Sequence, residues 1–233
     1  MNIGLFGYGK MGKMLDHLSR QRGHEIVAKI ELGTTEINFE AMDVAIDFSS
    51  PGAAYDNIIK CLDHNVPVIS GTTGWLEKYQ DVIRHCQKVN GAFIYASNFS
   101  LGVNIFFELN KKLAQLMGET EGYKVALEEI HHTQKLDAPS GTAITLAEGI
   151  IANSDYKNWV EGQGDADAIP IVSKRIEKVP GTHVVSYQSP IDSIQIAHTA
   201  HNREGFALGA IIAAEWLMGK KGVYTMKDVL GIN

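Results

Sequence analysis

Cysteine is scarce in this chain of 233 residues. The two present, Cys61 and Cys86, are too few for a disulfide framework, and neither belongs to a CxxC or Cys/His spacing that would hold a metal. A reducing compartment is the expectation. Runs of like charge are missing too: no Lys/Arg cluster interrupts a chain whose formal net charge is -6, so no nucleic-acid surface is expected. No run of 18 apolar residues occurs, which excludes an ordinary transmembrane helix. The chain enters Ile3-Gly4-Leu5-Phe6 without a basic leader, so no secretory signal is expected. Internal repeats and low-complexity tracts are absent.

What is there is a globular composition, 45% hydrophobic and 21% charged, which rules out disordered, collagen-like and coiled-coil classes. The length fits one large domain or two small ones. Glycine is in mild excess, 23 residues, and glycines mark tight turns and places where a ligand approaches backbone.

The first hundred residues alternate short apolar runs with helical stretches. Strands are expected at 2–6, 25–31, 43–48, 67–70 and 92–96, and helices at 10–22, 51–64 and 75–89. Alternation of this kind argues for a parallel sheet of βαβ units. Beyond Asn98 the pattern changes. A long helix at 101–117, a strand at 123–130 and a helix at 140–153 precede a polar loop at 156–167. Three strand-like runs follow, at 171–179, 182–189 and 193–199. Strands without intervening helices suggest a mixed or antiparallel sheet. An alanine-rich helix at 206–218 and a short tail at 224–232 close the chain. The fold class is therefore α/β: an N-terminal Rossmann dinucleotide-binding domain plus a smaller α+β domain with a mixed sheet.

Gly7-Tyr8-Gly9-Lys10-Met11-Gly12 fits GxGxxG, and it follows an expected strand and opens an expected helix, the context the motif requires. Gly7 permits the tight turn, Gly9 lets a pyrophosphate approach, and Gly12 allows close helix–strand packing. The helix N-terminus offers N–H groups to the phosphates. Glu31 lies where an acidic partner of the adenosine ribose is expected, and its charge favours NADH over NADPH. Lys10 and Lys29 nearby leave room for NADPH. Two further loops follow expected strands, Gly71-Thr72-Thr73-Gly74 and Ala96-Ser97-Asn98-Phe99-Ser100. Ligands bind at such carboxyl ends in open sheets, although ordinary turn chemistry also explains these residues.

The densest chemical segment runs from Glu128 through His131-His132-Thr133-Gln134-Lys135 to Pro139-Ser140-Gly141-Thr142. Adjacent histidines on extended chain point to opposite sides, so a metal pair is not expected. One histidine can act as an acid toward substrate while the other binds a charged group. Lys135 and the helix start at Gly141-Thr142 suit a carboxylated substrate. Cys61 and Cys86 sit in helical patterns without a base to activate them, which reads as structural.

From Ile130 to Ala143 the sequence closely resembles the signature of bacterial dihydrodipicolinate reductase (4-hydroxy-tetrahydrodipicolinate reductase). Gly7–Gly12, Gly71–Gly74, Asn98–Asn104, Trp216–Lys220 and Met226–Leu230 support the resemblance along most of the chain. It implies reduction by NADH, with NADPH as an alternative, in the diaminopimelate route to lysine. Carried over by motif position, His131 is the implied catalytic histidine and Lys135 the implied proton-donor lysine, with His132, Gly141 and Thr142 binding substrate. Gly7, Tyr8, Gly9, Lys10, Met11, Gly12, Glu31, Gly71, Thr72, Thr73, Ala96, Ser97, Asn98 and Phe99 are the implied cofactor positions. The resemblance further implies a cytoplasmic homotetramer with no metal, no membrane and a small dicarboxylate as partner. Residues 1–98 with 206–233 form the implied dinucleotide domain, and 99–205 the domain for substrate binding and oligomerisation.

The chain departs from the family pattern in a compressed stretch at 32–42, in a glycine loop one residue tighter, and in Leu32, where some relatives carry an arginine. The alternative is a non-catalytic, NAD-sensing Rossmann protein, which leaves the His-His-Lys segment without a role.

Overall fold

The computed structural model describes residues 1–164 and 167–232. The chain divides into two compact units, Met1–Leu101 with Glu204–Asn233, and Gly102–Arg203.

The first unit alternates strand and helix: β1 (Asn2–Phe6), α1 (Lys10–Gln21), β2 (Glu25–Ile30), β3 (Val44–Asp47), α2 (Pro51–Asp63), β4 (Val68–Ser70), α3 (Tyr79–Lys88) and β5 (Ala92–Tyr95). All pair in parallel. The order across the sheet places β2 and β3 on opposite sides of β1, so the chain reverses direction there. Such a reversal opens a crevice at the carboxyl ends of the strands. β3 is buried along its whole length, as a central parallel strand covered on both faces must be. One face carries the cluster of Ile3, Leu5, Ile46 and Ile94; the other carries Phe6, Ala45, Val68 and Phe93.

Three expectations change in detail. The helix expected from Trp75 starts as a 3-10 turn at Leu76–Lys78 and becomes α-helical only at Tyr79, because the Trp75 indole N–H donates to the Thr72 carbonyl at 2.7 Å and holds the turn. The polar stretch 156–167 contains a strand of the second unit, Asn158–Glu161; residues 165 and 166 of that expected loop lie outside the described residues. The expected tail is structured: a strand at Gly222–Tyr224 adds in parallel to β5, and a helix at Met226–Leu230 follows. That helix is fastened by a capping box in which Asp228 accepts from the Thr225 N–H at 2.7 Å. The alanine-rich helix, Glu204–Leu217, packs Ala207, Ala210, Ile211 and Ala214 into the first face of the parallel sheet. Gly209 makes the close approach there: a Cβ would lie 1.8 Å from the Phe99 carbonyl.

The second unit contains α4 (Leu101–Gly118, all but its first residue), β6 (Lys124–His131), α5 (Gly141–Ile151), β7 (Asn158–Glu161), β8 (Ala168–Arg175), β9 (Gly181–Gln188) and β10 (Ser193–Ala200). β6 pairs in parallel with β8 and antiparallel with β9, giving a mixed five-stranded sheet. Burial alternates along β6: Val125, Leu127, Glu129 and His131 all face inward. Period-two alternation therefore drives a carboxylate and an imidazole into the same face as the apolar core. No described helix is long and apolar enough to cross a membrane.

Candidate active site

The crevice beside β1 is a cavity of about 520 Å³ lined by Gly7, Tyr8, Gly9, Glu31, Ser49 and Lys60, among others. The loop geometry follows from its glycines. Gly7 has φ +92, and a Cβ on it would lie 2.2 Å from the Phe48 carbonyl. A Cβ on Gly12 would lie 2.2 Å from the Gly7 carbonyl, so α1 can start against β1 only with glycine there. Among the described residues Gly9 has no neighbour within 4 Å of a Cβ, which leaves its backbone bare to a phosphate. A dinucleotide fits these residues: open backbone N–H groups, a helix N-terminus and an acidic strand end border one cavity.

The cavity brings together Gly7, Tyr8, Gly9 and Glu31. Lys10, Met11, Gly12, Gly71, Thr72, Thr73, Ala96, Ser97, Asn98 and Phe99 lie outside its lining. Two of these side chains are already committed. Phe99 is buried in the core, its ring 5.9 Å from Phe48, which leaves its backbone for a ligand. The Thr72 hydroxyl donates to Asp47 at 2.7 Å and accepts from the Ser49 N–H at 2.9 Å. Lys29, noted as a candidate for a 2′-phosphate, pairs with Asp16 at 2.7 Å and donates to the Tyr8 hydroxyl at 2.7 Å. Lys60, on α2, was not singled out by sequence; it lines the cavity with Glu31.

Under the loops Asp47 is fully buried. Its carboxylate accepts from Ser49 at 2.6 Å, Ser70 at 2.8 Å, Thr72 at 2.7 Å and Asn57 at 3.3 Å. Burial raises its pKa, and the four neutral donors only partly oppose the rise. One side chain thus ties the ends of β3 and β4 to α2.

The second cluster lies at the carboxyl end of β6. Glu129 is fully buried, opposite Ser173 of β8 and His183 of β9 in the sheet register. Its Oε1 accepts from Arg175 Nη2 at 3.0 Å and from the Ser140 N–H at 3.2 Å. Its Oε2 lies 2.8 Å from His131 Nδ1, a close pairing without the alignment of a directed hydrogen bond. Burial pushes the Glu129 carboxyl up, but His131, Ser140, Ser173 and Arg175 outweigh it and hold the pKa far below the usual carboxylate range. His183 goes the other way from an ordinary imidazole. Burial first, and then the nearby His131, lower its pKa to about 3, and its Nε2 pairs with the Ser140 hydroxyl at 3.0 Å.

Lys135 and Asp137 form an ion pair at 2.7 Å in the loop after β6. Ser140 caps α5 by accepting from the Ala143 N–H, while Gly141 has open space where a side chain would stand. The first-turn N–H groups of a helix have no partner within it, so Gly141 and Thr142 offer an anion site near Lys135 in sequence. His132 is half-buried, with Nδ1 enclosed and, among the described residues, without a hydrogen-bond partner. Glu129, His131 and His183 present ligand atoms within 4.8 Å of one another. The Arg175 guanidinium already supplies the counter-charge a cation would bring, so the cluster suits proton chemistry. Both cysteines are buried thiols whose pKa burial raises, which leaves no thiolate nucleophile.

A glycine loop at the switch point of a parallel sheet, with an acid–base cluster on a separate mixed sheet, defines an oxidoreductase that uses a nicotinamide cofactor. Family models described as dihydrodipicolinate reductase, N-terminus, and dihydrodipicolinate reductase, C-terminus, match residues 1–99 and 102–230. A curated 4-hydroxy-tetrahydrodipicolinate reductase from Christiangramia forsetii is 57% identical over 99% of this chain and 98% of its own. The chain belongs to the dihydrodipicolinate reductase family and is an NAD(P)H-dependent reductase of the diaminopimelate route to lysine. The 4-hydroxy-tetrahydrodipicolinate reductase of Neisseria gonorrhoeae is 36% identical over 82% of this chain and 73% of its own. A solved dihydrodipicolinate reductase from Paenisporosarcina sp. TG-14, with dipicolinate bound, shares the fold at TM-score 0.78, with 24% identity over 97% of each chain.

Proposed function

We propose that the chain reduces 4-hydroxy-tetrahydrodipicolinate to tetrahydrodipicolinate with His131 and Lys135 as the catalytic pair. The observation that carries this reading is the buried His131 at the end of β6, in a unit that also holds Lys135 and the capped start of α5. Bound in the crevice of the first unit, a nicotinamide cofactor supplies the hydride. The protein orients and neutralises. Gly141 and Thr142 N–H groups, with His132 and Lys135, hold the substrate carboxylates, while a proton reaches the ring carbon from the His131/Lys135 pair. Gly7 to Gly12 receive the pyrophosphate and Glu31 the adenosine ribose; Gly71–Thr73 and Ala96–Phe99 border the nicotinamide half.

NADH is the preferred donor. Glu31 borders the cavity as a negative charge, and Lys29 is tied to Asp16 and Tyr8. We also infer a cytoplasmic homotetramer. That reading is supported by the family resemblance and by two free thiols.

The testing assay follows NADH loss while a synthase makes the substrate in place from pyruvate and aspartate semialdehyde. Turnover that depends on the synthase supports the reading. Dinucleotide binding without turnover would instead favour a nucleotide-sensing protein.

A further inference from the structure

The two ring nitrogens of His131 have different surroundings. Nδ1 lies 2.8 Å from Glu129. Nε2 lies beside Gly181, where a Cβ would stand 3.0 Å away; an alanine there would crowd the ring. Glu129 is itself gripped by Arg175, which donates from Nη2 to the Asp137 carbonyl at 2.6 Å and from Nε to the Lys135 carbonyl at 3.3 Å. One guanidinium therefore joins the carboxylate behind His131 to the loop that carries Lys135. In the register of β6 and β8, Arg175 stands opposite His131 and Ser173 opposite Glu129. The three strands thus set a fixed frame around the ring.

We propose that Glu129 and Arg175 are a positioning couple for His131, holding the imidazole through Nδ1 so that Nε2 is the nitrogen that gives up the proton. The proposal rests on His131 being the acid of the reaction. In the step, the Nε2–H bond breaks and a C–H bond forms on the ring carbon next to the one that accepts hydride. The N–H electron pair stays on Nε2, leaving a neutral imidazole that solvent reprotonates. A carboxylate at Nδ1 fixes which nitrogen carries the remaining proton. Gly181 keeps the space beside Nε2 clear.

The charged and titratable groups of this frame are Glu129 on β6, Arg175 on β8, His183 on β9, and Lys135 with Asp137 in the loop after β6. His183, its ring 5.0 Å from that of His131, is held neutral by burial and adds no charge. Loss of the Glu129 charge leaves Arg175 as the near charge, which opposes a positive charge on the His131 ring. An acid is lost as pH rises through its pKa, so the basic limb of the rate profile moves to lower pH.

The experiment compares Glu129→Gln, Arg175→Lys and His131→Gln in the coupled assay across pH, with circular dichroism and NADH affinity as controls. Glu129→Gln is expected to lower kcat by about 10²-fold, the loss typical of a misplaced reacting group, with substrate KM little changed and the basic limb shifted down. Arg175→Lys keeps the charge but loses the fork, so a smaller fall with an unshifted limb is expected; it also serves if the glutamine variant fails to fold. A Glu129→Gln enzyme that folds, turns over within about twofold of the parent and keeps its basic limb overturns the proposal. So does an Arg175→Lys enzyme with the parent's kcat. Near-parental turnover by His131→Gln overturns the assignment of His131 itself, which is a separate failure.

Discussion

Asp47 and Glu129 are both fully buried carboxylates, yet their environments pull them in opposite directions. Asp47, in the first unit, is surrounded by three hydroxyls and an amide. Neutral donors satisfy its oxygens but do not cancel the desolvation of a charge, and its pKa rises. Glu129, in the second unit, faces a guanidinium and an imidazole, and its pKa falls far below the usual range. The first arrangement builds shape, since Asp47 holds the ends of β3 and β4 together under the loops that follow them. The second, on the mechanism proposed, serves reactivity, with a persistent carboxylate beside His131 to control its proton. Burial alone does not reveal which role a carboxylate plays; the charge of its donors does.

The largest effect that would break this contrast lies at the reactive end. His131→Gln or Lys135→Ala is expected to lower kcat by about 10²–10⁴-fold, the usual loss of a general acid, with the fold intact by circular dichroism. Asp47→Asn is expected to act on structure instead. The carboxamide cannot accept from all four donors, so destabilisation of about 1–3 kcal/mol in denaturant unfolding and a raised KM for NADH are expected.

At mildly acidic pH a smaller effect follows from His183. Its folded pKa of about 3 lies below its ordinary 6.5, so unfolding takes up a proton between these values. Stability is full above pH 6.5 and declines as pH falls toward 3, by up to about 1.4 kcal/mol per pH unit. His198, also lowered by burial, adds in the same direction. Thermal unfolding at neutral and mildly acidic pH is expected to show the decline, and His183→Gln to flatten it. The smallest effect is at Glu31: Glu31→Ala is expected to narrow the preference for NADH. An unchanged ratio of NADH to NADPH efficiency would remove Glu31 from the ribose contact.

The first unit was the more legible one. Gly7, Gly9 and Gly12 are close in sequence, and their roles as turn, bare backbone and packing point reside in backbone geometry that glycine alone announces. Its edge was not legible: Gly222–Tyr224 is a three-residue strand whose existence depends on the free side of β5. In the second unit, His131 and Lys135 were readable because they stand in one compact motif. Glu129, Arg175 and His183 come from three strands, and only the sheet register sets them side by side. A signal for two of them was present. Continuing the inward alternation of Val125 and Leu127 reaches Glu129 and His131, and that of Tyr187 and Val185 reaches His183 and Gly181. Polar residues at inward positions of an otherwise apolar strand face are the mark of such a site.

The contrast between the two carboxylates is tested most directly by measuring kcat and the KM for NADH across pH for Asp47→Asn and Glu129→Gln side by side. A raised KM for NADH in Asp47→Asn with an unmoved basic limb, together with a lowered kcat and a downshifted limb in Glu129→Gln, is the expected result. A shifted limb in Asp47→Asn, or an unmoved one in a folded Glu129→Gln enzyme, would contradict it.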